Sequence, residues 1–341
     1  MTTPDYPFPN PPAPGTTSEV APGVHWLRMA LPFQLDHINL WLLEDHGSWL
    51  MIDTGLGNEP TRALWDRIFA DKIGSRPVKR VLVTHYHPDH AGNAAWLCSR
   101  TGAELWMTRG EYLTVHAARH GAAGYSPEAQ KELFCAHGLD EAQANALLAR
   151  GGLYKTMVPD FPFSHRRLFE GERIMIGGRS WQVIVGYGHA PEHVSLHCAE
   201  LNLLISGDML LPRISTNVAV RPIDPWSNPL RLFLDSIRRY RDLPEDVLVL
   251  PSHGLPFRGA HARIAQLEAH HRERLAELQS ACVAAPRAAA EVLEILFRRK
   301  LDTSQIFFAM GEAIAHLHYL YYEGQLARTV GADGVARFAP G

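Results

Sequence analysis

Four side chains that commonly bind metals lie within six residues, directly after an apolar, β-branched stretch. Positions 81 to 92 read VLVTHYHPDHAG, and the candidates are His85, His87, Asp89 and His90. In an extended segment alternate side chains point to the same side, so His85 and His87 can bind one ion. Pro88 ends the extended run, and the turn after it can direct Asp89 and His90 towards a second ion. Imidazoles with a carboxylate suit zinc, and iron or manganese at lower affinity.

Three further candidates follow apolar stretches later in the chain. His189 lies in GYGHAPEH, Asp208 ends LLISGD, and His253 lies in PSHG. Each is a ligand-type side chain beside glycine or proline at the end of a predicted strand. Because the pattern recurs at several strand ends, chance clustering in a histidine-rich chain explains it poorly. Loops at the strand ends of a two-sheet scaffold converge on one rim, and we expect the metal site there.

Two residues beside His189 are candidates for supporting roles. His193 is expected to position a ligand or contact substrate, with a structural hydrogen bond at the start of a strand as the alternative. Tyr187, and likewise Tyr86 between two ligand candidates, could donate a hydrogen bond to an oxyanion.

The composition is that of an ordinary globular protein of 341 residues, with 46% hydrophobic and 20% charged residues. A formal net charge of −3 gives no bulk attraction to nucleic acid or an anionic membrane. The four cysteines are far apart and form no C-x-x-C, so we expect neither a disulfide framework nor a zinc ribbon. The proline-rich N-terminus lacks signal-peptide features, and no apolar run reaches the roughly 18 residues of a membrane span, so we expect a cytoplasmic protein.

The periodicity predicts strands and helices that alternate along most of the chain. After an extended, partly mobile tail to about residue 20, strands are predicted at 24–29, 37–43, 48–52, 78–84 and 104–107, with helices at 59–73 and 91–100. A second group comprises strands at 172–176, 180–186, 194–198, 202–206 and 247–250, with a helix at 228–240. This order is typical of sheets with helices on their outer faces.

The region from 108 to about 167 has a different pattern. It predicts helices at 111–120, 127–137 and 141–150, separated by glycines, and no strand. We interpret it as a helical insertion that forms a lid or pocket wall, with a packing elaboration as the alternative.

The C-terminal segment predicts helices at 261–279, 288–300 and 304–324, followed by a hairpin at 325–338, which is a winged-helix-like pattern. From His261 onwards nine basic residues balance nine acidic ones, so nucleic-acid binding is not favoured. We expect a role in packing, in dimerisation or as a pocket wall. The basic run at 298–300 keeps RNA binding as a minority alternative.

Together with DTG at 53–55, these motifs resemble the signatures of the metallo-β-lactamase superfamily, in the same order, over residues 23–258. The resemblance implies an α+β fold, an αββα sandwich with metals at one edge of the sheets. It implies one metal bound by His85, His87 and His189. It implies a second bound by Asp89, His90 and His253, with Asp208 between the two and Asp53 positioning the site.

Details of the ligand set reduce the number of branches of the superfamily that the chain resembles. True β-lactamases of the superfamily lack the bridging aspartate that this chain has as Asp208, and flavin-linked diiron oxygen reductases carry glutamate where this chain has His87. The set is similar to that of glyoxalase II, lactonases and related thioesterases. Persulfide dioxygenases, which use one iron, share many of the same residues.

We therefore expect a dinuclear metal-dependent hydrolase of a small-molecule thioester, ester or lactone. Two divalent ions, zinc in preference to iron or manganese, would generate a bridging hydroxide that Asp89 and Asp208 orient as catalytic residues. Two alternatives stay open: an endoribonuclease with the same site, and a mononuclear iron persulfide dioxygenase. The expected domains are a tail (1–22), a catalytic domain (23–258, with its insertion at about 109–167) and a C-terminal module (259–341), with a homodimer as one option.

Overall fold

The computed structural model describes residues 4–122, 124–148 and 153–341. The chain divides into two compact units. The sheet unit comprises Met1–Arg119, Tyr154–Thr216 and Ser236–Ile264, and the helical unit comprises His120–Leu153, Asn217–Asp235 and Ala265–Gly341. The three-part division expected from the sequence stays a prediction.

The first sheet of the sheet unit has seven strands, which pair in chain order. They are β1 (Ser18–Ala21), β2 (Val24–Ala30), β3 (His37–Asp45), β4 (Ser48–Ile52), β5 (Val78–Leu82), β6 (Glu104–Met107) and β7 (Arg166–Arg167). Strands β1 to β4 are antiparallel, and β4 to β7 are parallel. All five residues of β4 are buried, because the sheet is covered on both faces.

The second sheet has five strands, in the order β12-β11-β10-β9-β8. Their bounds are β8 (Arg173–Ile176), β9 (Arg179–Gly186), β10 (His193–Cys198), β11 (Leu203–Gly207) and β12 (Leu248–Pro251). Only β11 and β12 run parallel. One apolar core takes side chains from both sheets, including Trp26, Trp41 and Trp181, so the sheets face each other. The predicted αββα fold is thereby confirmed.

Short helices connect the strands near the expected site. Helix α1 (Glu59–Ile68) begins where the Asn58 side chain accepts a hydrogen bond from the Thr61 N–H and continues as a π-helical turn, Phe69–Ile73. The helix predicted at 91–100 is in fact two, α2 (Pro88–Ala91) and α3 (Ala94–Thr101). Gly92 lies at the break, where a Cβ would lie 2.3 Å from the Gly57 nitrogen, so only glycine fits.

The remaining helices follow in chain order. They are α4 (Arg109–His120), α5 (Pro127–Cys135), α6 (Glu141–Leu148), α7 (Leu153–Met157), α8 (Pro229–Arg238), α9 (Ala260–Ala284), α10 (Leu293–Leu296) and α11 (Thr303–Tyr322). A hairpin of β13 (Ala327–Val330) and β14 (Ala336–Ala339) ends the chain. Among the described residues, none of the helices has the length and apolar character needed to cross a bilayer.

Several boundaries differ from the sequence-based expectation. The predicted tail contains β1, which pairs with β2, and the region predicted to lack strands contains the two-residue β7. The helix predicted at 288–300 is only a 3₁₀ turn (Ala290–Val292) followed by α10, and it ends there because Phe297 takes an extended conformation. Residues 149 and 150 of the helix predicted at 141–150 lie outside the described residues. The winged-helix-like arrangement stays a prediction.

Candidate metal centre

The loops that carry the candidate ligands meet at one edge of the two sheets. Backbone hydrogen bonds join the sheets there: the Val194 N–H donates to the Thr84 carbonyl (2.9 Å), and the Asn39 N–H donates to the Ser252 carbonyl (2.7 Å). The parallel pairing of β11 with β12 brings their carboxyl ends together, and the Ser252 N–H donates to the Gly207 carbonyl. These bonds fix the backbone beside each ligand before any side chain is considered.

The first cluster consists of His85, His87, His189 and Asp208. The Nε2 atom of His85 lies 2.8 Å from His87 Nδ1 and 3.2 Å from His189 Nε2. One oxygen of Asp208, Oδ2, lies 3.4 Å from His189 Nε2 and 3.9 Å from His85 Nε2. Four potential ligand atoms therefore converge on one point.

The second cluster consists of Asp89, His90 and His253. Asp89 Oδ2 lies 3.7 Å from His90 Nε2 and 3.5 Å from His253 Nε2. The other oxygen of Asp208, Oδ1, lies 3.5 Å from His90 Nε2 and 3.4 Å from His253 Nε2. Asp208 thus faces both clusters, with a different oxygen towards each.

The residues of both clusters fit divalent cations. A single hydrogen on His85 Nε2 serves only one of the two nitrogens that face it, whereas a cation can accept the lone pairs of all three imidazoles. Among the described residues, buried His90 Nε2 and Asp208 Oδ1 have no hydrogen-bond partner. Buried polar atoms are rarely left in this way, and a metal bound there would satisfy both.

The electrostatics of the site agree with this reading. Burial lowers the pKa of His85 well below its usual value, so its imidazole is neutral, as a metal ligand must be. At His90 and His253 burial acts in the same direction, but the neighbouring carboxylates outweigh it and raise both pKa values. Burial opposes ionisation of Asp208, yet His253 and His90 hold its pKa well below the usual range. The second cluster therefore attracts positive charge.

Asp53, expected to position the site, lies behind His90. Its carboxylate accepts hydrogen bonds from His90 Nδ1 (2.7 Å) and from the N–H and hydroxyl of Thr84. Because Nδ1 is used in this way, Nε2 of His90 is directed into the second cluster. Asp53 has a φ of 60°, in the left-handed region that favours glycine, and these hydrogen bonds hold it there.

His253 is oriented by a neighbour that the sequence did not indicate. His253 Nδ1 donates to the His37 carbonyl (2.8 Å), and the Gly254 N–H donates to His37 Nε2 (2.9 Å). The first bond leaves Nε2 of His253 facing Asp89 and Asp208. Since the bond to His253 uses a backbone carbonyl, no residue type at position 37 could have revealed it.

His193 is the first residue of β10 and is fully buried. Its Nε2 accepts a hydrogen bond from the Asp208 N–H (3.1 Å), and its ring lies 4.7 Å from that of His85. A Cβ on Gly207 would lie 2.3 Å from the His193 ring. His193 therefore holds the backbone of the candidate ligand Asp208 by a hydrogen bond, and its role as a positioning or substrate-contacting residue stays a prediction.

The two tyrosines lie differently. Tyr86 is buried, its ring packs 4.6 Å from the ring of His87, and its carbonyl accepts a hydrogen bond from the Tyr154 hydroxyl. The side chain of Tyr187 is 38% exposed, and its backbone N–H donates to the Ser236 hydroxyl. The expected role of both hydroxyls as donors to an oxyanion stays a prediction.

Glu111 is a buried carboxylate beside the site that the sequence analysis did not select. Burial raises its pKa to about 8, although it accepts hydrogen bonds from the backbone of Tyr86 and Glu192. The sequence did hold one indication of its burial, the spacing of residues along α4. The buried residues of this helix follow at helical intervals and are Glu111, Thr114 and Val115. A carboxylate on the buried face of a helix indicates a specific partner.

Comparison with known proteins places the chain in a family. Residues 34–253 match the model of the metallo-beta-lactamase superfamily, and residues 275–341 match that of the metallo-beta-lactamase-like C-terminal domain. A beta-lactamase domain protein from Burkholderia ambifaria has a TM-score of 0.92 and 49% identity, covering 99% of this chain and 98% of its own. A metallo-beta-lactamase family protein from Thermus thermophilus has a TM-score of 0.80 and 30% identity, covering 95% of this chain and 100% of its own.

Curated relatives are more distant. The probable metallo-hydrolase YqjP of Bacillus subtilis is 26% identical over 309 residues, which is 87% of this chain and 92% of that protein. An acyl-coenzyme A thioesterase of Gallus gallus is 26% identical over 204 residues, 55% of this chain and 63% of that protein. A hydroxyacylglutathione hydrolase of Cereibacter sphaeroides is 23% identical over 186 residues, 54% of this chain and 51% of that protein. The family match and the two similar structures lead to one conclusion: this chain belongs to the metallo-β-lactamase superfamily.

Proposed function

We propose that this protein is a dinuclear metal-dependent hydrolase that cleaves a thioester, ester or lactone of a small molecule. The observation that carries the proposal is the position of Asp208, which presents Oδ2 to one group of histidines and Oδ1 to the other. A carboxylate between two imidazole clusters is suited to hold two cations close together.

The chain supplies a separate ligand set for each cation. The first set is His85, His87 and His189, the second is Asp89, His90 and His253, and Asp208 is shared. We propose zinc, because three imidazoles with a carboxylate suit it well. When bound, the two cations would lower the pKa of water towards neutrality and polarise a carbonyl group.

The carboxylates Asp89 and Asp208 then have a second task. An ionised carboxylate can only accept hydrogen bonds, so each of the two can orient a water molecule and receive its proton. Asp89 is the more accessible of the two, with 18% of its side chain exposed against 10% for Asp208. We therefore assign to Asp89 the transfer of a proton to the leaving group.

The substrate class is supported by the relatives. Acyl-coenzyme A and hydroxyacylglutathione are both thioesters, and the two relatives named for them each match a little over half of this chain. A thioester is accordingly our first choice. Three exposed apolar side chains, Phe33, Tyr187 and Ile214, lie on the loops that carry or adjoin His37, His189 and Asp208, and they suit an apolar acyl group.

The test combines metal analysis with a substrate panel. Protein purified without added metal is analysed for metals, then assayed with acyl-coenzyme A, an S-acylglutathione, a nitrophenyl ester, a lactone, single-stranded RNA and a persulfide. We expect about two metal ions per chain and hydrolysis of at least one ester or thioester. A single iron with oxygen consumption on the persulfide, or cleavage of RNA alone, would overturn the proposal.

A further inference from the structure

Glu111 lies in the first turn of α4, and its exposed fraction is zero. A buried carboxylate is costly unless its oxygens accept strong hydrogen bonds. Glu111 accepts two, one on each oxygen. Both come from backbone N–H groups in the loops that carry the first metal cluster.

The two donors belong to different loops. The Tyr86 N–H donates to Glu111 Oε2 (2.9 Å), and Tyr86 lies between the ligands His85 and His87. The Glu192 N–H donates to Glu111 Oε1 (2.6 Å), and Glu192 lies three residues after the ligand His189. One side chain therefore joins a residue of the 85–87 loop to a residue of the 189–193 loop.

Residues at the start of α4 also donate hydrogen bonds to the 189–193 loop. The Glu192 carboxylate accepts a hydrogen bond from the Gly110 N–H (2.8 Å), and the Glu192 carbonyl accepts one from the Thr108 hydroxyl (2.9 Å). A Cβ on Gly110 would lie 2.8 Å from the Glu192 carboxyl carbon, so the close approach requires glycine. Such reciprocal bonds fix both the distance and the orientation of the second loop.

The second metal cluster is supported by other groups. His90 is oriented by the Asp53 carboxylate, and His253 is oriented by the His37 carbonyl. The hydrogen bonds of Glu111 come instead from the backbone of Tyr86 and Glu192, and with His90 it has an electrostatic interaction only. The two clusters thus have separate supports, although they share Asp208.

We propose that Glu111 is a positioning residue for the first metal, which sets the distance between the loop of His85 and His87 and the loop of His189. The inference rests on the proposed metal assignment. It goes beyond that assignment because it predicts that one of the two metals can be weakened without the other.

The test measures the affinity of each metal equivalent. Apoprotein is titrated with zinc in competition with a chromophoric chelator, for the wild type, Glu111→Gln and Glu111→Asp. Glutamine keeps the size of the side chain but turns an N–H₂ group towards one N–H donor. Aspartate keeps the carboxyl group but is too short to serve both donors. In both variants we expect one zinc equivalent to bind about 10- to 100-fold more weakly and the affinity for the other to stay unchanged.

Glu172→Gln is the matched control. Glu172 is a carboxylate of the sheet unit that also accepts a backbone N–H, from Phe169, and it pairs with Arg166 away from both clusters. This variant should keep both affinities. Asp53→Asn should weaken the other equivalent, and cobalt(II) spectra of the loaded variants should show which coordination environment has changed.

The outcomes separate the two proposals. Wild-type affinity for both equivalents in Glu111→Gln and Glu111→Asp, even with a lower melting temperature of the apoprotein, would make Glu111 a merely structural residue. The inference would also be overturned if the Glu111 variants bound both zinc equivalents equally weakly. The same holds if Asp53→Asn weakened binding of the equivalent that the Glu111 variants weaken. If the wild type itself binds no metal, the proposed function is refuted, and the inference about Glu111 is refuted with it.

Discussion

Both units bury histidines, but the two groups have different surroundings. In the sheet unit, His90 and His253 face the carboxylates of Asp89 and Asp208, and their pKa values are raised. In the helical unit, His271 and His316 face each other at 3.2 Å, and burial lowers the pKa of His271 to about 2 and that of His316 to about 4. The first group attracts cations, whereas the second is held neutral.

The hydrogen bonds of the helical unit assign each proton. His316 Nδ1 donates to the Glu312 carbonyl (2.8 Å), so its Nε2 must accept from His271 Nδ1. Burial also lowers the pKa of His137, to about 3, and its ring packs against those of His318 and Phe338. These rings lie in a buried interior, where His271 and His316 share one hydrogen bond while His271 Nε2 and His137 Nδ1 have no hydrogen-bond partner among the described residues.

The difference teaches what turns buried histidines into a metal site. A group of buried histidines that lie close together is not enough, since both units contain one. In the sheet unit the histidines come from loops at strand ends, their lone pairs converge on one point, and carboxylates supply the compensating charge. In the helical unit they project from helices, where neighbouring side chains are spaced along an axis and do not converge.

The largest effect should follow from removing the group shared by both clusters. In Asp208→Ala, each cluster loses an oxygen and the site loses a negative charge, so we expect metal content below one ion per chain and activity lower by about a thousandfold or more, or about 4 kcal/mol. His316→Gln, which alters a buried histidine of the helical unit, should keep the wild-type metal content. Elemental analysis and steady-state kinetics measure both. Full activity in Asp208→Ala would refute the shared-ligand assignment.

The buried neutral histidines of the helical unit should make this unit sensitive to acid. The folded pKa values of His137, His271 and His316 lie below the unfolded value of about 6.5, so the unfolded chain binds more protons between these values. Their stabilising contribution is present above pH 6.5 and falls as the pH falls. From pH 6.5 to 5 we expect a loss of about 2 kcal/mol for each group.

Hydrogen exchange at pH 7 and pH 5 measures this effect helix by helix. Protection in α11 and the second half of α9 should fall strongly at pH 5, and His271→Phe should reduce the fall. Equal protection at both pH values would mean that these histidines bind protons as readily in the folded protein as in the unfolded chain, which contradicts their lowered pKa values.

Most of the site could be predicted from the sequence, because its ligands lie in short motifs at strand ends. The bounds of β4 and β6 were predicted to the residue, since each is a short apolar run whose length suits a strand rather than a helix. Glu111 was missed because its partners are backbone N–H groups 25 and 81 residues away, which carry no sequence signal. The helix predicted at 288–300 failed because Phe297 takes an extended conformation that local propensity does not indicate.

A smaller effect is expected from the support behind His90. Asp53→Asn keeps the size of the side chain but removes the charge and one acceptor, so His90 Nε2 is no longer held in place. We expect the second metal to bind about 10- to 100-fold more weakly, with the folded structure retained. Asp66→Asn, an exposed carboxylate of α1 paired with Arg100, is the control. Isothermal titration with zinc measures the change, and unchanged affinity would show that His90 needs no such support.

The smallest effect concerns only the helical unit. Helix α11 begins with a capping box, in which the Asp302 carboxylate accepts the Gln305 N–H (2.9 Å) and the Gln305 side chain accepts the Asp302 N–H. Asp302→Ala leaves a backbone donor without this partner and should reduce the free energy of unfolding by about 1 kcal/mol. Asp302→Asn, which retains a capping oxygen, should lose much less. Denaturant unfolding measures both, and the metal affinities should stay at the wild-type values, because the metal ligands depend on strand-end loops rather than on this helix. A change in metal affinity in Asp302→Ala would mean that the two groups of histidines are energetically coupled.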